Sequence, residues 1–125
     1  MKSKRRSDCP VACTLDLLGD KWTLLVVRDL FTGQERFEQF LASREGMASN
    51  ILADRLARLQ EGGIVEQRVN PEHRGRPTYH LTDRGLALRG VLNAVARWGL
   101  QQFPGTSLGG NSLGRARRST KGGPS

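Results

Sequence analysis

Apolar residues fall into short periodic stretches along the chain, and their period changes once. Over residues 9–18, Cys13, Leu15 (or Asp16), Leu17 and Leu18 suggest a short helix, with Pro10 at a first helical position where no N–H is needed. Gly19 and Asp20 break that pattern, and Asp20 is placed to cap a second helix over residues 21–31. Trp22, Leu25, Val26 and Leu30 make this helix too apolar for a surface element, so it reads as the central core helix. Thr32-Gly33-Gln34 is a turn. Phe37, Phe40 and Leu41, at i, i+3, i+4 spacing, predict a third, short helix before another turn over residues 43–46.

Residues 46–63 are the stretch around which the rest is organised. Ile51, Leu52, Leu56 and Leu59 form one apolar stripe, while Ser49, Asn50, Asp54, Arg55 and Arg58 place polar groups at the start and along the other side. Gly62 and Gly63 end the helix, where a left-handed cap favours a residue without Cβ. Taken alone, the stretch fits an ordinary amphipathic surface helix. Preceded by a short helix and a glycine-containing turn, it takes the order of a helix-turn-helix, whose second helix reads base edges with its first residues.

The period changes directly after Gly63. Residues 64–69 are strand-like, with β-branched Ile64, Val65 and Val69, and Thr78, Tyr79, His80 and Leu81 form a returning strand after a polar turn over residues 70–77. A hairpin behind a helix-turn-helix is a wing. Its tip carries Arg74 and Arg76 around Gly75, suited to phosphate contact or insertion into a narrow minor groove, or simply to a solvated loop. Thr82 or Asp83 then caps a last helix to about Phe103, with Leu86, Val91, Leu92, Val95 and Trp98 on its apolar face and Pro104 closing it. That face exceeds what one small sheet and three helices need, which points to a partner subunit. The fold expected is mainly α with a small β-hairpin wing, a winged helix-turn-helix acting as a homodimer.

Charge refines this picture. The 125 residues, one domain in size, carry a formal +8. Lys2, Lys4, Arg5 and Arg6 against Asp8 give +3 over residues 1–8, and Arg115, Arg117, Arg118 and Lys121 give +4 over residues 104–125, leaving +1 for residues 9–103. The chain therefore divides into a basic arm (1–8), a nearly neutral domain (9–103) and a basic tail (104–125) whose Gly and Ser content predicts disorder. Such arms favour polyanions through counterion release, but they also serve solubility. No apolar run approaches the roughly 18 residues that span a bilayer. The N-terminus lacks the apolar segment of a signal peptide, and two cysteines are too few for a disulfide framework, so a cytoplasmic protein is expected. No metal cluster, phosphate loop or Ser/His/Asp arrangement is visible, so neither enzyme nor cofactor is expected; His73 and His80 fall in the wing, where solvated or packed side chains are the ordinary case.

Read together, Cys9-Pro10-Val11, the run from Leu15 through Gly19-Asp20-Lys21-Trp22 to Leu25, Arg28-Asp29-Leu30, Gly33, Arg36-Phe37, Leu52, Arg55-Leu56, Leu59 and Tyr79-His80-Leu81-Thr82-Asp83-Arg84-Gly85 resemble the HxlR-type family of bacterial winged helix-turn-helix regulators. The likeness covers roughly residues 9–103 in unbroken order. It implies a homodimer built from the N-terminal segment and last helix, which binds double-stranded DNA at an inverted-repeat operator through recognition helix and wing. Ser49, Asn50 and Arg55 are the leading candidates for DNA contact, since Asn suits adenine and Arg suits guanine in the major groove. Arg55 has a structural alternative, a bridge to Asp54, Glu61 or a backbone carbonyl. Arg36 is placed for a phosphate, and Arg58 for a phosphate or for solvent. Two departures stand out: Ala48 replaces the Ser or Thr with which the family usually opens this helix, so that Ser49 would become the N-cap, and Ala53 stands where a hydroxyl is common.

The resemblance further implies that some members sense electrophiles or oxidants through a cysteine at the position matching Cys9. A helix start beside Arg5 and Arg6 favours thiolate; the alternative is a small residue packed at a dimer interface. A Cys9–Cys13 bridge would strain the first helical turn, leaving an intersubunit disulfide or an adduct at Cys9. The function expected is a sequence-specific transcriptional regulator, with repression by promoter occlusion the safer expectation. A non-specific architectural protein and a winged-helix interaction module are the alternatives. The sequence names no operator and no small-molecule effector.

Overall fold

The computed structural model describes residues 5–69, 71–73 and 75–108. Helices α1 (Pro10–Leu18), α2 (Thr23–Phe31), α3 (Phe37–Leu41) and α4 (Ser49–Glu61) come first, followed by strands β1 (Val65–Val69) and β2 (Pro77–Leu81), and then α5 (Asp83–Leu86) and α6 (Arg89–Gln102). The strands form an antiparallel hairpin in which Val65 faces Leu81 and Val69 faces Pro77. A short 3-10 turn, Pro71–His73, lies in the connection that the sequence predicts only as a polar loop. No helix among the described residues is long and apolar enough to cross a membrane.

Helix α2 is the centre of the molecule, packing against α1, α4, α6 and β2. Its Val26, Val27, Leu30 and Phe31 meet Phe40 of α3, Leu52, Leu56 and Leu59 of α4, and Ile64, Val65, Tyr79 and Leu92 in one core. Met47, in the turn between α3 and α4, is also buried there, although no periodicity marks it. Each fully buried aliphatic side chain contributes about 1.5–3 kcal/mol, so the stripe of α4 alone seats that helix firmly. The Tyr79 amide donates to the Glu35 carbonyl at 2.8 Å, which ties the free edge of β2 to the segment entering α3.

Two boundaries differ from the sequence reading. Helix α2 begins at Thr23, two residues later than predicted, because Lys21 and Trp22 form a turn. Asp20 still closes the helix start: its Oδ2 accepts the amides of Trp22 (3.0 Å) and Thr23 (3.3 Å), and its Oδ1 takes the Thr23 hydroxyl. The single last helix is in fact two, broken at Ala87–Leu88. Its first turn is held elsewhere: Thr82 Oγ1 donates to the Gly63 carbonyl (2.6 Å) and accepts the Gly85 amide (3.1 Å). At Gly85 a Cβ would stand 2.3 Å from the Ile64 carbonyl oxygen, so α5 approaches the wing as only a glycine allows. The chain then turns to lay α6 on α2.

Candidate nucleic-acid interface

Helix α4 ends as the two glycines predict. Gly62 closes the last turn with ordinary helical geometry, and Gly63 takes the left-handed conformation, φ +77°. Its beginning differs. Ala48 is the N-cap and offers no side-chain acceptor, so Ser49 is the first residue of the helix rather than its cap. Among the described residues no side chain caps the first-turn amides. Ser49, Asn50, Ala53 and Ala57 are all exposed on the outer surface of α4, opposite the buried Leu52, Leu56 and Leu59.

Arg55 does not belong to that outer group. Its side chain is only 16% exposed; Nε donates to Asp20 Oδ2 at 2.7 Å and Nη1 to Asp54 Oδ2 at 2.5 Å. The sequence reading anticipates the Asp54 bridge as an alternative but misses Asp20, 35 positions away, because no local pattern reports so distant a partner. Burial opposes ionisation of Asp20, yet hydrogen bonds from Thr23, Arg55 and the Trp22 amide, together with the Arg55 charge, hold it well below the usual carboxylate range. Arg58, one turn on, is half-exposed and stands 3.8 Å from Asp54. Asp54 is thus flanked by two guanidinium groups.

A second polar cluster joins the other end of α2 to the turn before α4. Arg28 donates to both oxygens of Glu45 (2.9 and 2.8 Å), to Ser43 Oγ (3.2 Å) and to Asp29 Oδ1. Ser43 donates to Glu45 at 2.7 Å. The hydrogen bonds from Arg28 lower the Glu45 carboxyl to about 2, whereas burial pushes Asp29 up. Asp29 Oδ2 is buried without a partner among the described residues. Sequence reading misses this cluster for the same reason as Asp20.

The remaining predicted residues are dispersed. Arg36 sits at the N-cap of α3, exposed and 3.5 Å from Glu38, while Gln39 Oε1 accepts its amide at 2.9 Å. Arg76 is exposed beside the left-handed Gly75. Arg74 lies outside the described residues, as do residues 1–4 of the basic arm and 109–125 of the tail. Arg6 reaches Asp16 on α1 at 2.5 Å, so its charge is directed to that carboxylate. Cys9 is exposed at the N-cap of α1; its amide donates to Ser7 Oγ (3.0 Å). Cys13 donates its thiol to the Ser7 carbonyl at 3.3 Å, and both cysteines are free thiols. His80 shares a 2.8 Å hydrogen bond with Thr78, and burial lowers its pKa, as suits a packed rather than a reactive imidazole.

Comparison with known proteins agrees with this geometry. An uncharacterised HTH-type transcriptional regulator of Synechocystis is 41% identical over 91 residues, spanning 73% of this chain and 67% of that protein. The crystal structure of PA1607, described as a candidate transcription factor, superposes with a TM-score of 0.75 at 38% identity, covering 97% of this chain and 82% of that one. The HTH-type regulator YodB of Bacillus subtilis is 33% identical over 72% of this chain and 81% of its own. Its reduced form superposes with a TM-score of 0.66 and covers 81% of this chain and 100% of that one, and YodB has also been solved diamide-treated and quinone-bound. The model of the HxlR-like helix-turn-helix matches residues 17–106. The chain belongs to this HxlR-like family of winged helix-turn-helix transcriptional regulators, which are not enzymes.

Proposed function

We propose that this chain binds an inverted-repeat operator as a homodimer and represses transcription by occluding a promoter. The observation that carries the reading is the start of α4, where Ser49 and Asn50 are exposed on a helix N-terminus whose amides no side chain caps. Amides there attract a phosphate, while the Asn50 carboxamide suits the edge of an adenine. Arg36, Arg58 and Arg76 are assigned to phosphates, and Arg74, which lies outside the described residues, is kept with them on its sequence alone. Arg55 is left out of the base-reading set because its side chain is largely buried and its Nε and Nη1 are engaged by carboxylates.

Dimerisation is supported by apolar surface that the core does not use. Val91, Val95 and Trp98 form an exposed stripe on α6, with Phe103 edge-on to Trp98 at 5.9 Å, and Val11 and Leu15 are exposed on α1. A second copy is assigned to cover these two helices and to bring a second α4 to the same operator. Selection of bound duplexes from a random pool tests the reading. An inverted repeat with half-sites about one helical turn apart is the expected result. Unbiased sequences, bound only at low salt, would instead give an architectural protein.

Cys9 is assigned a sensing role, supported by its exposure at a helix start and by the relationship to YodB. Diamide, hypochlorite or a quinone is expected to change operator affinity in the wild type and not in Cys9→Ser. Equal affinity before and after demonstrated modification of Cys9 would remove that role.

A further inference from the structure

An apolar stripe decides which face of a helix is buried, and a directional ion pair constrains its rotation more tightly than dispersion contacts alone. A base-reading helix needs that rotation fixed. Asp20 is the residue placed to fix it. It lies in the joint between α1 and α2, its own position secured by the Trp22 and Thr23 amides and the Thr23 hydroxyl, and it accepts Arg55 Nε at 2.7 Å across to the middle of α4. Both side chains are largely shielded, 23% and 16% exposed, where a directional ion pair is worth more than on an open surface. The end of α1 also lies close to the far end of α4: a Cβ on Gly62 would stand 3.0 Å from Leu17 Cδ1.

We propose that Asp20 is a positioning residue for DNA reading. By holding Arg55 it sets the rotation of α4 and hence where Ser49 and Asn50 meet the bases, and Arg55 itself does not touch DNA. The inference rests on α4 being the reading helix. Releasing Arg55 toward DNA would leave Asp20 and Asp54 without their shared guanidinium beside the phosphates, which favours the pair staying closed.

The test uses the full chain, the duplex enriched by selection and its single-base variants, with Asp20→Asn, Arg55→Gln, Arg55→Lys and the Asp20→Asn/Arg55→Gln double variant. Each single change is expected to weaken binding by roughly 3- to 30-fold, and the double variant by no more than either alone, as for two residues acting through one contact. The slope of log affinity against log salt is expected to stay unchanged, and Arg55→Lys, which keeps the charge but loses the Nε geometry, to behave as Arg55→Gln. In the free protein the Arg55 Nε–H resonance is expected to be protected from exchange and to lose that protection in Asp20→Asn; this readout requires no DNA. Relaxed preference at one base pair in Arg55→Gln, or a salt slope smaller by about one, with Asp20→Asn binding normally, would overturn the proposal. An unprotected Nε–H in the wild type would overturn it too. A wild type with a protected signal but no base preference would instead bring down the reading assignment of α4, and the positioning role with it.

Discussion

Asn50 and Arg55 lie five positions apart on α4, which at about 100° per residue turns their side chains roughly 140° from one another. One points out of the molecule while the other is turned in to Asp20 in the joint before α2, so burial rather than residue type separates them. Composition ranks both as base readers; the fold separates them. Leu56, 2% exposed on the opposite side, carries the seat of the helix. Leu56→Ala is expected to destabilise the protein by about 2–5 kcal/mol in denaturant unfolding. A loss under 1 kcal/mol would mean that α4 is held chiefly by its polar contacts. Residues whose role depends on local pattern, such as Leu52, Leu59 and Gly63, are legible in the sequence. The cap at Asp20 is legible too, but its bond to Arg55, the Arg28 cluster and Met47 are not, because their partners lie far along the chain or their burial depends on a turn.

Among the elements, the helix-turn-helix is the part the sequence discloses best. Phe37, Phe40 and Leu41 bound α3 as predicted, and the change of period after Gly63 marks the wing. The break between α5 and α6 escapes it, since the apolar spacing continues across Ala87–Leu88 and only the anchoring of Thr82 and Gly85 to residues 63 and 64 redirects the chain. The turn preceding α4 is held by Arg28 on Glu45, whose folded pKa of about 2 lies below its ordinary 4.5. Over that interval the unfolded chain binds more protons than the folded one, so this contact adds stability above about pH 4.5 and loses it as pH falls toward 2. Asp29, pushed up by burial, works in the opposite sense. Glu45→Gln is therefore expected to flatten the acid limb of a stability-against-pH curve between pH 2 and 4.5. An unchanged limb would show that the Arg28–Glu45 contact does not persist in solution.

For the molecule as a whole, charge and apolar surface are separated. The nearly neutral domain places its hydrogen-bonding residues on α4 and its surplus apolar area on α1 and α6, while basicity gathers toward the chain ends. Trp98, 61% exposed, and Val95 lie within that surplus. The wild type is expected to sediment as a dimer at micromolar concentration, and Val95→Glu as a folded monomer with weakened operator binding. A monomeric wild type would remove the dimer from the account. The central claim, that paired α4 helices read base sequence, is tested most directly by comparing the wild type with Asn50→Ala on every single-base variant of the enriched duplex at one salt concentration. The account predicts that the variant loses discrimination of about 1–3 kcal/mol at one base pair, mirrored in both half-sites, with the other preferences intact. A uniform loss across all duplexes, or none, would contradict it.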